Sequence, residues 1–226
     1  MTDEKKRSQV QCQTSIAPLH DVYNAESADA NKARYDRWSA TYDKELQEAY
    51  FGPQRLVEFI IKELASTADK TIRVLDIGAG TGQVARLLRS HGFTNIDGLD
   101  GSSEMLALAR RDNLYNEYFV ELLLEDKQSE QLPVGAYDLV VGVGIFNAGH
   151  LNHKHLAHFL RCAKSGGHVM FGISNSAFIR EDFIANLPYY SESGQWKLAN
   201  SEVAPEYSLL FPDLDPSATF YHFVKL

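Results

Sequence analysis

Nine consecutive residues constrain this chain more than any others: Val74-Leu75-Asp76-Ile77-Gly78-Ala79-Gly80-Thr81-Gly82. An apolar stretch that runs straight into alternating glycines reads as a buried strand, a tight loop and the start of a helix. Glycine lets backbone approach a ligand closely, and the helix start offers free N–H groups to it. In a dinucleotide-binding GxGxxG loop the third glycine would fall at position 83, where this chain has Gln83, and the strand would not carry an acid two residues before the loop. NAD is therefore the weaker reading. Asp76 suits a ligand with positive charge, and Asp100, twenty residues after Gly80, is placed to accept hydrogen bonds from a ribose diol. Asp97, three residues earlier in the same strand, is the rival for that role.

Around this loop the pattern alternates. Tyr35, Trp38, Tyr42 and Leu46 recur at spacings of three and four, the stripe of one helix, and Pro53 opens a second over about 54–64. Strands are expected at 72–77, 94–99, 118–124, 139–146 and 168–173, separated by helices at 80–90, from Ser102, and at 152–163. The runs 118–124 and 139–146 are almost continuously apolar, as in strands covered on both faces. A helix at 177–187 and closing strands at 196–203 and 219–224 complete the reading. The expected fold is α/β: a Rossmann-like, doubly wound, mostly parallel sheet with an N-terminal helical lid. Residues 1–30 read as a mobile arm and 31–226 as one domain, with N-terminal helices over 31–66 and the sheet core over 72–226.

Composition limits the partners. The 226 residues carry 22 Lys and Arg against 30 Asp and Glu, a net charge of −8, which disfavours a broad basic face for duplex nucleic acid or anionic lipid. The longest apolar run has eight residues, where a spanning helix needs about 20. Neither a signal core nor a membrane partner is expected, and the chain reads as cytoplasmic. Cys12 and Cys162 are far apart, so neither a disulfide framework nor a thiolate zinc site is indicated. His150, His153, His155 and His158 cluster without a carboxylate or cysteine, and no metal site is expected from them.

The strand, the loop, Asp76 and Asp100 together fit S-adenosyl-L-methionine, and they resemble the first two motifs of the class I S-adenosylmethionine-dependent methyltransferases. Tyr35-Asp36-Arg37-Trp38 with Tyr42-Asp43, the Asp100-Gly101-Ser102 turn with Met105-Leu106, Leu132-Pro133 before Tyr137-Asp138, and Ser165-Gly166-Gly167 are similar to the methyltransferase-like family named after the Williams-Beuren syndrome region. The resemblance spans about residues 35–173. It implies a methyltransferase whose donor is held by Asp76, Gly78, Ala79 and Gly80 at the methionine end and by Asp100, Gly101, Ser102 and Met105 at the ribose. It further implies Leu124 and Glu125, ending strand three, at the adenine, Val143 in strand four, and Tyr35, Trp38 and Tyr42 as an aromatic cover. The cover has a physical motive, since an aromatic face attracts a desolvated sulfonium.

His150 follows strand four, where acceptor-facing residues lie in that superfamily, and is the candidate general base. The loop Gly144-Ile145-Phe146-Asn147-Ala148-Gly149 lacks the Asn-Pro-Pro-aromatic signature of nucleobase amino-methyltransferases, and no acid ends strand four to hold Mg²⁺. A small molecule or a protein side chain is the expected acceptor, its identity and the oligomeric state being open. Two other classes stay in view: a cofactor-binding regulatory module without catalysis, and a nucleotide-dependent oxidoreductase.

Overall fold

The computed structural model describes residues 18, 21–22, 25–65, 69–146, 150–175, 177–192, 194–208 and 215–226. Most of the segment read as a mobile arm lies outside the described residues. Within it, Val22 is buried and packs with Trp38, Leu46 and Tyr207.

Helix α1 (Ala28–Leu46) begins earlier than the aromatic stripe suggests, because Ser27 caps it by accepting from the Ala30 N–H at 3.1 Å. Helix α2 (Gly52–Glu63) has Pro53 in its first turn and buries Leu56, Val57, Phe59 and Ile60. The chain then alternates through β1 (Val74–Ile77), α3 (Gln83–Ser90), β2 (Ile96–Asp100), α4 (Ser103–Arg111), β3 (Tyr118–Val120), β4 (Tyr137–Gly142), α5 (Leu156–Cys162), β5 (Ala163–Ser174), α6 (Ala177–Glu192), β6 (Trp196–Pro205) and β7 (Ser217–Lys225).

Among the described residues seven strands form one sheet in the order β3-β2-β1-β4-β5-β7-β6. Strands β1 to β5 are parallel, whereas β7 runs antiparallel to both β5 and β6. The order reverses at β1, so ligands of such sheets bind beyond the carboxyl ends of β1, β2 and β4. Helices cover both faces. Leu56, Ile60, Val84, Leu88 and Leu106 pack with Val74, Leu139 and Met170 on one, while Leu156, Phe159 and Phe183 pack with Leu75, Val140 and Phe171 on the other.

Several boundaries differ from those expected, each for a physical reason. Helix α3 starts at Gln83 and not Gly80, since Gly80 and Gly82 have φ of +53° and +88°, outside the helical region. Strand β3 stops at Val120, four residues short. It is the sheet's edge, Val120 is 43% exposed, and the leucines after it leave the ladder; only Leu123 among 122–124 is buried. Strand β4 ends at Gly142, and β5 starts at Ala163, earlier than expected, pairing with Tyr137 before a register shift. Helix α6 continues through Pro188 to Glu192, giving up one backbone hydrogen bond where the sequence pattern suggested a stop.

Candidate functional site

The glycine loop after β1 is held against β2 by its own backbone. The Gly78 and Ala79 N–H groups both donate to the Leu99 carbonyl, at 2.8 and 2.9 Å. Gly78 has φ +74°, and a Cβ there would fall 2.1 Å from the Ile145 side chain, so no other residue fits. Gly82 is equally blocked by Leu114, 2.4 Å from a built Cβ. At Gly80 the same construction meets only the Gly78 carbonyl, at 4.0 Å. Two glycines are thus required by packing, and the third leaves open space beside the loop.

Asp100, ending β2, joins this loop to the next turn: one carboxylate oxygen accepts from the Gly80 N–H and the other from the Ser102 N–H, both at 2.8 Å. A carboxylate offers about four acceptor positions, so about two remain, the number a vicinal diol needs. Burial raises the Asp100 pKa, against the lowering effect of those two N–H bonds. Ser102 also caps α4 by accepting from the Met105 N–H at 3.1 Å, and Met105 is buried behind it. A Cβ at Gly101 would sit 3.0 Å from Leu122.

Asp76 is 1% exposed in the middle of the sheet. Its hydrogen-bond donor is a neutral phenol, the Tyr115 hydroxyl at 2.6 Å, and burial raises its pKa to about 7 with Asp100 adding repulsion. Tyr115 reaches it because Gly98 in β2 has no side chain; a Cβ there would be 2.9 Å from the Tyr115 ring. Nothing in the local pattern around Tyr115 announces this role, although a glycine inside an apolar strand is a general sign of close approach.

Asp97 has no part in this. Its carboxylate accepts from Arg73 at 3.1 and 2.8 Å, from the Tyr137 hydroxyl at 3.0 Å and from the Glu117 N–H at 3.2 Å, at the opposite end of the strand. Its acceptor capacity is taken.

Helix α1 lies across the carboxyl ends of the strands. Asp36 accepts from the Ser102 hydroxyl at 2.5 Å, after β2, and is paired with Lys32 at 2.7 Å. Asp43 accepts from the Thr81 hydroxyl and the Gln83 amide, at 2.6 and 2.7 Å, after β1. Tyr35 bonds His150 at 2.7 Å, after β4. Three strand ends are therefore spanned by one helix. The rings of Tyr35, Trp38 and Tyr42 pack against one another at centroid distances of 4.7–6.1 Å. Burial, together with Asp43, Asp100 and Glu206, pushes the Tyr42 hydroxyl well above the ordinary phenol range.

Val143 is buried beside Gly172, whose built Cβ would be 3.2 Å from it. The expectation that Leu124 and Glu125 end strand three is corrected. Both are exposed and lie in the connection after β3, where the Leu124 carbonyl accepts from His158 at 2.9 Å and Glu125 pairs with Lys154 at 2.7 Å and with Asn152. Leu122, beside the Gly101 turn, stands nearer to that part of the site, and the overlong strand reading concealed it.

The histidines are used separately: His150 on Tyr35, His155 in a capping box with Asn152, His158 on the Leu124 carbonyl. Asn147, Ala148 and Gly149 lie outside the described residues, as does Cys12. Cys162 is fully buried, which raises its thiol to about 11. A surface groove of about 360 Å³ runs between α2 and β6, and its charges Arg55, Glu58, Lys62 and Glu202 pair with one another.

Residues 42–212 match the model of a family described as a methyltransferase domain. Methyltransferase-like protein 27 of Homo sapiens is 28% identical over 166 residues, covering 72% of this chain and 66% of that protein. EEF1A lysine methyltransferase 2 of Danio rerio is 26% identical over 152 residues, covering 62% and 64%. The chain spans about two thirds of the length of these two relatives and 52% of the murine EEF1A lysine methyltransferase 2. Among solved structures, the N-methyltransferase NodS from Bradyrhizobium japonicum WM9, in complex with S-adenosyl-l-homocysteine, superposes with a TM-score of 0.59 at 15% identity, covering 91% of this chain and 98% of that one.

Proposed function

The chain belongs to the methyltransferase-domain family, and from that membership we propose that it transfers a methyl group from S-adenosyl-L-methionine to a small molecule or a protein side chain. The observation that carries this reading is Asp100, locked between the glycine loop and the Ser102 turn with acceptor capacity to spare.

The residues present fit that donor. Asp100 would hold the ribose, the open side of Gly80 would face the methionine end, and buried Asp76 would favour a ligand bearing positive charge. Val143, Met105, Ala79 and Leu122 would supply apolar walls, and Tyr35, Trp38 and Tyr42 the cover. When bound, the donor supplies an electrophilic methyl carbon on a sulfonium. The chain's own contribution is alignment and exclusion of water, which an in-line displacement chiefly needs. Helix α1 is suited to this, being tied to three strand ends at once. His150, held by Tyr35, would face the acceptor and take its proton where the acceptor carries one. The relative's name as a lysine methyltransferase supports a protein side chain, and the net charge of −8 argues against duplex nucleic acid.

Calorimetric titration with S-adenosylhomocysteine tests the reading. Micromolar affinity is expected, with stabilisation of about 2.7 kcal/mol at 100-fold excess over the dissociation constant. Asp100→Ala should weaken binding tenfold or more, since an ionic acceptor for a diol contributes about 1.5–3 kcal/mol. A flat titration with folded wild-type protein rejects the donor; unchanged affinity in the variant rejects the role of Asp100.

A further inference from the structure

Just after β6 the chain buries a carboxylate that the donor site does not use. Glu206 is 1% exposed, and its Oε2 is fully buried with no hydrogen-bond partner among the described residues. Leaving an acid so placed is unfavourable unless something offsets it. Burial alone accounts for its raised pKa, about 8, with neither a cation nor a donor lowering it.

Its position places it with the site. Strand β6 runs in the same direction as β5, so Pro205, its last residue, lies at the edge where β1 to β5 have their carboxyl ends. The Glu206 backbone accepts from the Phe51 N–H at 2.7 Å, and Tyr50 and Tyr207 form an antiparallel bridge with rings 5.1 Å apart. Tyr50 lies over the loop that leaves β4, its hydroxyl 2.3 Å from where a Cβ on Gly144 would be. Tyr207 packs with Trp38 of the cover, and the charge of Glu206 acts on the Tyr42 hydroxyl together with that of Asp100. An acid whose Oε2 has no partner among the described residues and four aromatic rings therefore meet between the cover, the β4 end and the β6 end.

Resting on the donor reading above, we propose that Glu206 and the rings of Tyr42, Tyr50 and Tyr207 form the acceptor subsite for a primary ammonium group, as on a lysine side chain. Aromatic faces attract an ammonium, and a buried carboxylate satisfies its N–H donors. A hydroxyl or thiol acceptor would gain little from either. For an ammonium acceptor Glu206 takes the role of base in place of His150: it gives up its own proton to solvent as the cation binds beside it, one N–H bond of the ammonium then breaks, that proton goes to the Glu206 carboxylate, and the nitrogen keeps the electron pair. That pair forms the bond to the methyl carbon as the carbon–sulfur pair leaves with sulfur, and Glu206 later returns its proton to solvent.

The test is calorimetry on the full chain with three probes: S-adenosylhomocysteine, and two analogues with its sulfur replaced by nitrogen bearing a 2-aminoethyl or a 2-hydroxyethyl arm. Wild type should bind the aminoethyl analogue at least about tenfold more tightly than the hydroxyethyl one. In Glu206→Gln and in Glu206→Met that ratio should fall to about one, with S-adenosylhomocysteine affinity unchanged. If wild type binds S-adenosylhomocysteine but shows no preference between the arms, or the variants keep the preference, the subsite is elsewhere and the donor reading stands. If the variants lose S-adenosylhomocysteine itself, Glu206 belongs to the donor site and the proposal falls. If wild type binds none of the three, the donor reading has failed first.

Discussion

The two edges of the sheet treat their acids in opposite ways. At the amino-terminal edge Asp97 is bound by Arg73 and Tyr137 and Asp138 by Lys164 and the Arg73 N–H, and Glu63, at the end of α2, is likewise bound by His222 and Asn200. At the carboxyl edge Asp76 has a phenol, Asp100 two backbone N–H groups, and Glu206, among the described residues, no partner at Oε2. Burial opposes ionisation at both edges. At the first it is overcome, and the partners hold Asp138 and Glu63 below the usual carboxylate range. At the second it wins for the three acids of the strand ends, raising Asp76 to about 7, Glu206 to about 8, and Asp100 as well, whereas Asp36 on the overlying α1, paired with Lys32 and Ser102, is held below the usual range. One edge commits its charges to the fold; at the other, Asp76, Asp100 and Glu206 keep fewer compensating partners, as the proposed cationic ligands require.

Arg73→Ala should produce the largest effect. It removes two hydrogen bonds and the paired cation from Asp97, a carboxylate only 2% exposed that keeps the Tyr137 hydroxyl and the Glu117 N–H, a change of about 3 kcal/mol for a broken buried pair. Urea denaturation should show the loss, while affinity for S-adenosylhomocysteine in the surviving folded protein stays as in wild type. A fall in affinity without a fall in stability would erase the distinction between the edges.

The pH dependence sharpens the comparison. Folded Asp76 keeps its proton to about pH 7 and the unfolded chain releases it near the ordinary 3.8, so between these values the native state binds more protons. Without ligand, stability should therefore fall as pH rises from about 4 through 7, with Glu206 extending the fall toward 8. Asp138 and Glu63 act with the opposite sign, and their contribution is lost only as pH drops below about 4. Asp76→Asn should flatten the slope of melting temperature between pH 5 and 7.5. An unchanged slope would mean that Asp76 ionises freely in the native state.

The glycine loop, Asp100 and the Ser102 cap, which form the proposed donor half of the site, were legible in the sequence as local structure because they lie at strand ends and follow from short-range pattern. Likewise, the aromatic stripe announced α1. What the pattern hid depends on contacts between distant segments. Tyr115 bonds Asp76 from 39 residues away, and Asp36 and Asp43 latch onto Ser102 and Thr81 from 66 and 38. Glu206 was invisible for a related reason: an acid after a closing strand reads as surface until the fold buries it. The third strand was drawn too long because apolar leucines at a sheet edge pack sideways as readily as they pair.

The smallest expected effect concerns the latch. Asp43 is exposed and contributes hydrogen bonds to Thr81 and Gln83 that water can replace, so Asp43→Ala should cost about 1 kcal/mol or less. If α1 closes over the donor, that energy appears in local opening and not in global stability. Amide exchange along Tyr35 to Leu46 should then slow on addition of S-adenosylhomocysteine and, without it, run up to about fivefold faster in Asp43→Ala than in wild type. Lys164→Ala removes an exposed partner of Asp138 at the other edge and should leave exchange in this helix unaltered. Exchange that ignores both the ligand and the Asp43 change would make α1 a fixed part of the core, its aromatic stripe there for packing alone, and the acceptor would then have to enter from the side of β6.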